Sequence, residues 1–172
     1  MSREPLQERL DTLKLAKAGA VLKGTVPSKA MPRLTDGLVG SAGDAEAELE
    51  FDLDSVGRPV VTGRARAEVE LTCQRCLEPL RQPLSVEFTL VQVRSESEAE
   101  SLAPDVDPLL CEEPLIRSAQ LIEDELILAL PIIAVHADPA CGPEERKTLP
   151  EVVSEEKPNP FAALAKLKRN EH

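Results

Sequence analysis

The chain has 172 residues, 42% of them hydrophobic and 2% aromatic, with a formal net charge of −11. That length holds one core of ordinary size, and with Phe51, Phe88 and Phe161 as its whole aromatic content the core must be built from Leu, Val, Ile and Ala. So few rings make a poor platform for stacking bases, and so acidic a total works against a general nucleic-acid binder, whose affinity comes from Lys and Arg releasing counterions.

The charge is unevenly spread. Residues 1–35 carry seven Lys/Arg against three Asp/Glu, whereas residues 36–63 and 95–117 each carry one against seven, and the end turns basic again at Lys166, Lys168 and Arg169. Such runs are solvated faces in the plain reading, and an acidic face for a basic partner in the sharper one. The N-terminus has no apolar signal-peptide region, and no stretch approaches the ~20 apolar residues of a membrane span, so the chain is expected in the cytoplasm. The four Cys are then expected as thiols or metal ligands, not disulfides.

In chain order, residues 1–9 are polar and expected to fray. Asp11 caps a short helix over 12–18 that Gly19 stops, and 20–26 (AVLKGTV) reads as a first strand. Ser28 is a candidate cap for a short helix near 29–35 that Pro32 interrupts. From 45 to 54 every odd position is apolar and every even one acidic, the period of a strand with one face buried. The pattern resumes over 61–73 with Val61, Ala65, Ala67, Val69, Leu71 and Cys73 inward, and Arg64 and Arg66 can oppose Glu48 and Glu50 across the sheet. After a turn over 74–79 the parity flips, so that Leu84, Val86, Phe88 and Leu90 point inward, with Val69 expected opposite Leu84. Residues 95–108 read as a loop, and 109–111 with 115–116 as a short edge strand.

The richest apolar stretch is 121–141, LIEDELILALPIIAVHADPAC. Ile122, Leu126, Ala129, Leu130 and Ile133 share one helical face, Ser118 is the expected cap, and Pro131 ends the helix. Residues 132–135 read as a short buried strand. The expected fold is α+β: an antiparallel β-meander covered on one face by this helix, with short N- and C-terminal helices, in a domain over 1–142. Residues 143–158 read as an acidic, Pro-rich linker, and 159–172 as a short amphipathic helix with a basic tail.

The chemistry centres on Cys73-Gln-Arg-Cys76 at a hairpin tip, which offers half of a tetrahedral zinc site. The other half is Cys141 with His136, or Cys111. The competing reading makes Cys73 a small core residue and the other thiols bystanders. Glu123-Asp124-Glu125 point about 100° apart on a helix and cannot converge on one atom, so they read as a solvated face. No nucleophile–base set and no phosphate loop stands out, and the chain does not read as an enzyme.

Three stretches, ELTCQRC (70–76), LIEDELILALPIIAVH with Cys141 beyond it, and KPNPFAALAKLK (157–168), together with the DTLKLAK start, resemble the YceD family of large ribosomal RNA subunit accumulation proteins. By position the family's motif residues fall on Cys73, Arg75, Cys76, Glu123, Asp124, Glu125, Pro131, Cys141, Asn159, Pro160 and Phe161. Some relatives carry further cysteines after the position of Cys141, and this chain does not. The resemblance implies a ribosome-biogenesis factor supporting synthesis, processing or stability of large-subunit ribosomal RNA. Two modes of binding follow. In one, precursor RNA is held through the basic N-terminal segment, Arg75, Arg81 and the tail with Lys166, Lys168 and Arg169, while Asn159, Pro160 and Phe161 are expected to contact RNA or a partner. In the other, the acidic faces bind a basic ribosomal protein or assembly factor.

Overall fold

The computed structural model describes residues 4–142 apart from Ser41, Asp105, Glu112 and Pro114. The expected linker and C-terminal helix, with Asn159, Pro160, Phe161, Lys166, Lys168 and Arg169, lie outside the described residues.

The elements run β1 (Arg9–Asp11), α1 (Thr12–Lys17), β2 (Val21–Val26), a 3-10 turn (Ser28–Ala30), α2 (Pro32–Asp36), β3 (Ala45–Leu53), β4 (Pro59–Thr72), β5 (Pro79–Val93), α3 (Glu96–Glu100), β6 (Asp107–Leu110), β7 (Leu115–Arg117) and α4 (Ser118–Leu128). Strands β2-β3-β4-β5-β6 form one sheet, antiparallel except for the β5–β6 pair, and β1 pairs with β7 in a separate ribbon. The α+β meander is therefore present, widened by a strand on each side. Among the described residues no helix is long and apolar enough to cross a membrane.

The odd-position pattern is realised as expected. Ala45, Ala47, Leu49 and Phe51 of β3, with Val61, Ala65, Ala67 and Val69 of β4, face the core, while Glu46, Glu50, Arg64 and Arg66 face solvent. Onto this face pack Leu10, Ala16, Met31, Leu34, Leu121, Ile122 and Leu126. Each large side chain so buried contributes about 1.5–3 kcal/mol. Gly63 sits opposite Phe88, and a Cβ there would lie 2.3 Å from the ring, so the glycine is what lets the aromatic lie across the sheet.

Several expectations are corrected. Residues 4–6 do not fray: Leu6 N–H donates to the Thr25 carbonyl at 2.8 Å and Thr25 N–H to Glu4 O at 2.9 Å, extending the sheet beyond β2. The β4–β5 register is shifted by two residues, with Val69 opposite Gln82 and Ala67 opposite Leu84, because the connection needs all of 73–78. A two-residue shift keeps every side chain on its face. Arg64 does meet Glu48, but Arg66 lies opposite Glu46, not Glu50. Pro32 starts α2 at its first turn instead of interrupting it, and Ser28 does not cap it. The 95–108 loop contains α3, capped by Ser95, whose Oγ accepts from Glu98 N–H at 3.2 Å. Of the expected edge strand, only 107–110 joins the sheet, and 115–117 pairs with β1. Ser118 does not cap α4; it is buried and donates to the Glu8 carbonyl.

The largest departure follows Pro131. Residues 132–135 form no strand, and Ile132 and Ile133 are 95% and 65% exposed. Helix α4 ends at Leu128, and the chain beyond it turns away from the sheet toward the 73–78 connection.

Candidate metal centre

The connection 73–78 folds on its own hydrogen bonds. Cys73 N–H donates to the Glu78 carbonyl at 2.9 Å, and Leu77 N–H donates back to Cys73 O at 2.8 Å. Leu77, just after the second cysteine, takes φ +66°, the left-handed conformation that closes the turn and sets both thiols on one side. The second arm is tied on by Gln74 N–H, which donates to the Ala134 carbonyl at 2.8 Å. That bond buries Ala134 between its exposed neighbours and delivers His136 to the turn.

His136 Nδ1 lies 3.3 Å from Cys76 Sγ, and His136 N–H donates to Cys73 Sγ at 3.4 Å. Its Nε2 faces the Pro79 carbonyl at 3.2 Å. A carbonyl only accepts, so the ring proton belongs on Nε2 and the Nδ1 lone pair is left facing the cysteines. Farther along, Asp138 Oδ1 accepts from Ala140 N–H at 2.8 Å, and Cys141 N–H donates to Asp138 O at 3.2 Å. This turn aims Cys141 Sγ to within 3.8 Å of Cys73 Sγ.

The four ligand atoms of Cys73, Cys76, His136 and Cys141 all lie within 4.8 Å of one another. A tetrahedral zinc with Zn–S of about 2.3 Å and Zn–N of about 2.0 Å has edges of about 3.8 Å between sulfurs and about 3.5 Å between sulfur and nitrogen. The 3.8 Å between Cys73 Sγ and Cys141 Sγ and the 3.3 Å between Cys76 Sγ and His136 Nδ1 fit those edges. A disulfide needs a sulfur separation of about 2.0 Å, which no such pair approaches. Electrostatics point the same way. Burial opposes charge on Cys73, but the backbone N–H groups of Cys76, His136 and Arg75 and the Cys76 thiol outweigh it and hold that thiol at about 5. That shift favours the thiolate, the form that binds metal. For Cys76 a Glu78 backbone N–H favours ionisation, yet burial and the neighbouring Cys73 and Cys141 sulfurs push the thiol up. A cation in the centre removes that repulsion between thiolates.

The structure thus brings together Cys73, Cys76, His136 and Cys141, and excludes Cys111, whose Sγ donates to the Glu113 carbonyl at 2.7 Å. Arg75, expected on a partner-binding surface, is half-buried against the cluster: its Nη1 donates to Asp138 O at 2.8 Å and to Cys141 Sγ at 3.3 Å. Arg81 is exposed on the open sheet face opposite Glu70.

Glu123 corrects the solvated-face reading. It is 3% exposed, and its Oε1 accepts from the backbone N–H groups of Arg33 at 2.6 Å and Leu34 at 3.2 Å, the unpaired donors at the start of α2. Its Oε2 takes Arg33 Nη2 at 3.1 Å, and Asp124 pairs with the same guanidinium. A signal was present: Pro32 marks a helix start with no Ser, Thr, Asp or Asn just before it, so the cap had to come from elsewhere.

The model of the large ribosomal RNA subunit accumulation protein YceD family matches residues 61–168, a span that contains all four residues of the cluster. The chain is 34% identical over 173 residues to the large ribosomal RNA subunit accumulation protein YceD of Haemophilus influenzae, covering 98% of this chain and 99% of that protein. No solved structure matches it.

Proposed function

Since the chain belongs to the YceD family of large ribosomal RNA subunit accumulation proteins, we propose that it supports accumulation of large-subunit ribosomal RNA as a non-catalytic, cytoplasmic binding factor. The reading we favour has it hold a basic large-subunit protein or assembly factor. The observation that carries this choice is the open face of the sheet. Glu46, Glu48, Glu50, Asp52, Glu68, Glu70 and Glu87 project from it against Lys23, Arg64, Arg66 and Arg81, and both Lys23 and Arg64 are spent on Glu48. A surface with that balance repels phosphate and attracts a basic partner.

A second reading, direct contact with precursor RNA, rests on Arg81 and on Asn159, Pro160, Phe161, Lys166 and Lys168, all within the family match, with Arg169 just beyond. Affinity for an rRNA fragment across a salt series separates the two. Phosphate contact gives a steep slope that flattens when Lys166, Lys168 and Arg169 are neutralised. The favoured reading expects no measurable RNA binding at low salt, and co-purification of a basic ribosomal protein that is lost when Glu46, Glu50 and Glu68 are changed to Gln. RNA binding with a steep slope overturns it.

We also propose that Cys73, Cys76, His136 and Cys141 hold one structural zinc. Bound there, the ion would supply cross-linking: it would join the β4–β5 tip to the chain beyond α4.

A further inference from the structure

We infer that Arg75 is a positioning residue of the metal centre: its guanidinium clamps the Cys141 arm onto the Cys73–Cys76 turn and balances the charge of the loaded site. The inference rests on the zinc reading above.

Cys141 needs such a clamp. It stands 68 residues from its sulfur neighbour Cys73, on a stretch with no helix or strand to hold it. The two hydrogens of Arg75 Nη1 serve two acceptors on that stretch, Asp138 O at 2.8 Å and Cys141 Sγ at 3.3 Å. The same Asp138 carbonyl receives Cys141 N–H at 3.2 Å, so one oxygen gathers the backbone of the ligand and the side chain of the turn. The aliphatic stem matters too. Gly142 lies beside it, and a Cβ on that glycine would meet Arg75 Cγ at 3.5 Å. The arm is thus packed along the stem and hydrogen-bonded at the tip.

Charge acts here independently of the packing. Three thiolates and a neutral imidazole around a divalent cation leave one net negative charge. Cys73 is fully buried and the other three ligands are half-buried, so this charge is not left to water. Arg75 places its positive group directly on one of the sulfurs. A guanidinium is permanently charged and weakly hydrated, which suits it to that position better than an ammonium. Partners of this kind, behind the ligands themselves, typically govern metal affinity by 10–100-fold.

The test uses full-length protein and the variants Arg75→Met, which keeps the stem, Arg75→Gln, which keeps a neutral donor, and Arg75→Lys, which keeps the charge. Zinc affinity is read by competition with a chromogenic chelator, and the cobalt-substituted forms are read by their thiolate-to-cobalt absorption. R75M should lose about 10–100-fold in zinc affinity, R75K should recover part of it, and the cobalt band of R75M should move to longer wavelength as its sulfur loses a hydrogen bond. Should R75M fail to fold, R75Q against R75K carries the same comparison. Equal zinc affinity in variant and wild type overturns the inference. So does a loss of affinity with an unshifted cobalt band, which would reduce Arg75 to support of the loop. A wild type that takes up no zinc overturns the zinc reading itself, an outcome distinct from both.

Discussion

Two apolar stretches flank Pro131, and they meet opposite fates. Before it, Leu121, Ile122 and Leu126 are 4%, 0% and 0% exposed and seal the sheet; after it, Ile132 and Ile133 are 95% and 65% exposed. Hydropathy does not separate the two. The first stretch is held by burial. The second is held by polar ties: the Ala134 carbonyl on Gln74 N–H, His136 between Cys76 and Pro79, and Cys141 beside Cys73. One half of this region is a core, and the other is an arm reaching to the cluster of Cys73, Cys76, His136 and Cys141.

The sharpest way to break the comparison is to truncate each side. Leu126→Ala should cost about 2–5 kcal/mol in urea unfolding, whereas Ile132→Ala should change stability by no more than about 0.5 kcal/mol. Equal losses would mean that Ile132 is buried in solution. Glu123→Ala comes next, at about 1–3 kcal/mol, because it strips the start of α2 of its acceptor. Its partner Arg33 has a half-exposed side chain and can find water, which keeps the cost below that of a fully buried pair. An unchanged melting temperature in this variant would contradict the capping role.

Stripping the proposed zinc should act on the arm alone. Hydrogen exchange is expected to quicken over 73–78 and 132–142 while the amides of β3 and the middle of β4 stay protected. A global loss of protection would show that the centre supports the whole fold.

The open sheet face offers a pH test. The hydrogen bond from Lys23 and then that from Arg64 hold the Glu48 carboxyl below its usual 4.5. A carboxylate lowered in the folded state stabilises the protein above its unfolded value and loses that contribution as pH falls through the lowered one. Glu48→Gln should therefore be less stable than wild type at pH 7, and the gap should close as pH drops below about 4.5. A gap that widens in acid would reverse the assignment. The smallest effect belongs to Leu77, whose left-handed φ suits glycine; Leu77→Gly should be neutral or raise stability by up to about 1 kcal/mol. A clear loss of stability would mean that the exposed Leu77 side chain packs on the arm.

The sheet was legible because it is encoded twice, by period-two hydropathy and by acids on the outer positions of β3. Its two-residue register error was harmless for the same reason: parity carries the faces, and turn length sets only the offset. The meeting of the C-x2-C motif with His136 and Cys141 was legible because each residue type has few other reasons to cluster. What could not be read were the far partners of long-range polar ties, even where, as at Pro32, a helix start without a local cap showed that one was needed. Nothing near Glu123 in the chain announces α2, which lies 90 residues away, and nothing in Arg75 distinguishes a guanidinium turned inward from one offered to a partner. The strand expected over 132–135 failed because an apolar run states what could be buried, and not whether the backbone is pulled elsewhere.

The most direct test of the account is native mass spectrometry of the full chain purified without chelator, beside Cys73→Ser and Cys141→Ser. The account predicts one zinc per chain in the wild type and none in either variant. A wild type that carries no metal, or one that keeps its zinc without Cys141, would contradict it.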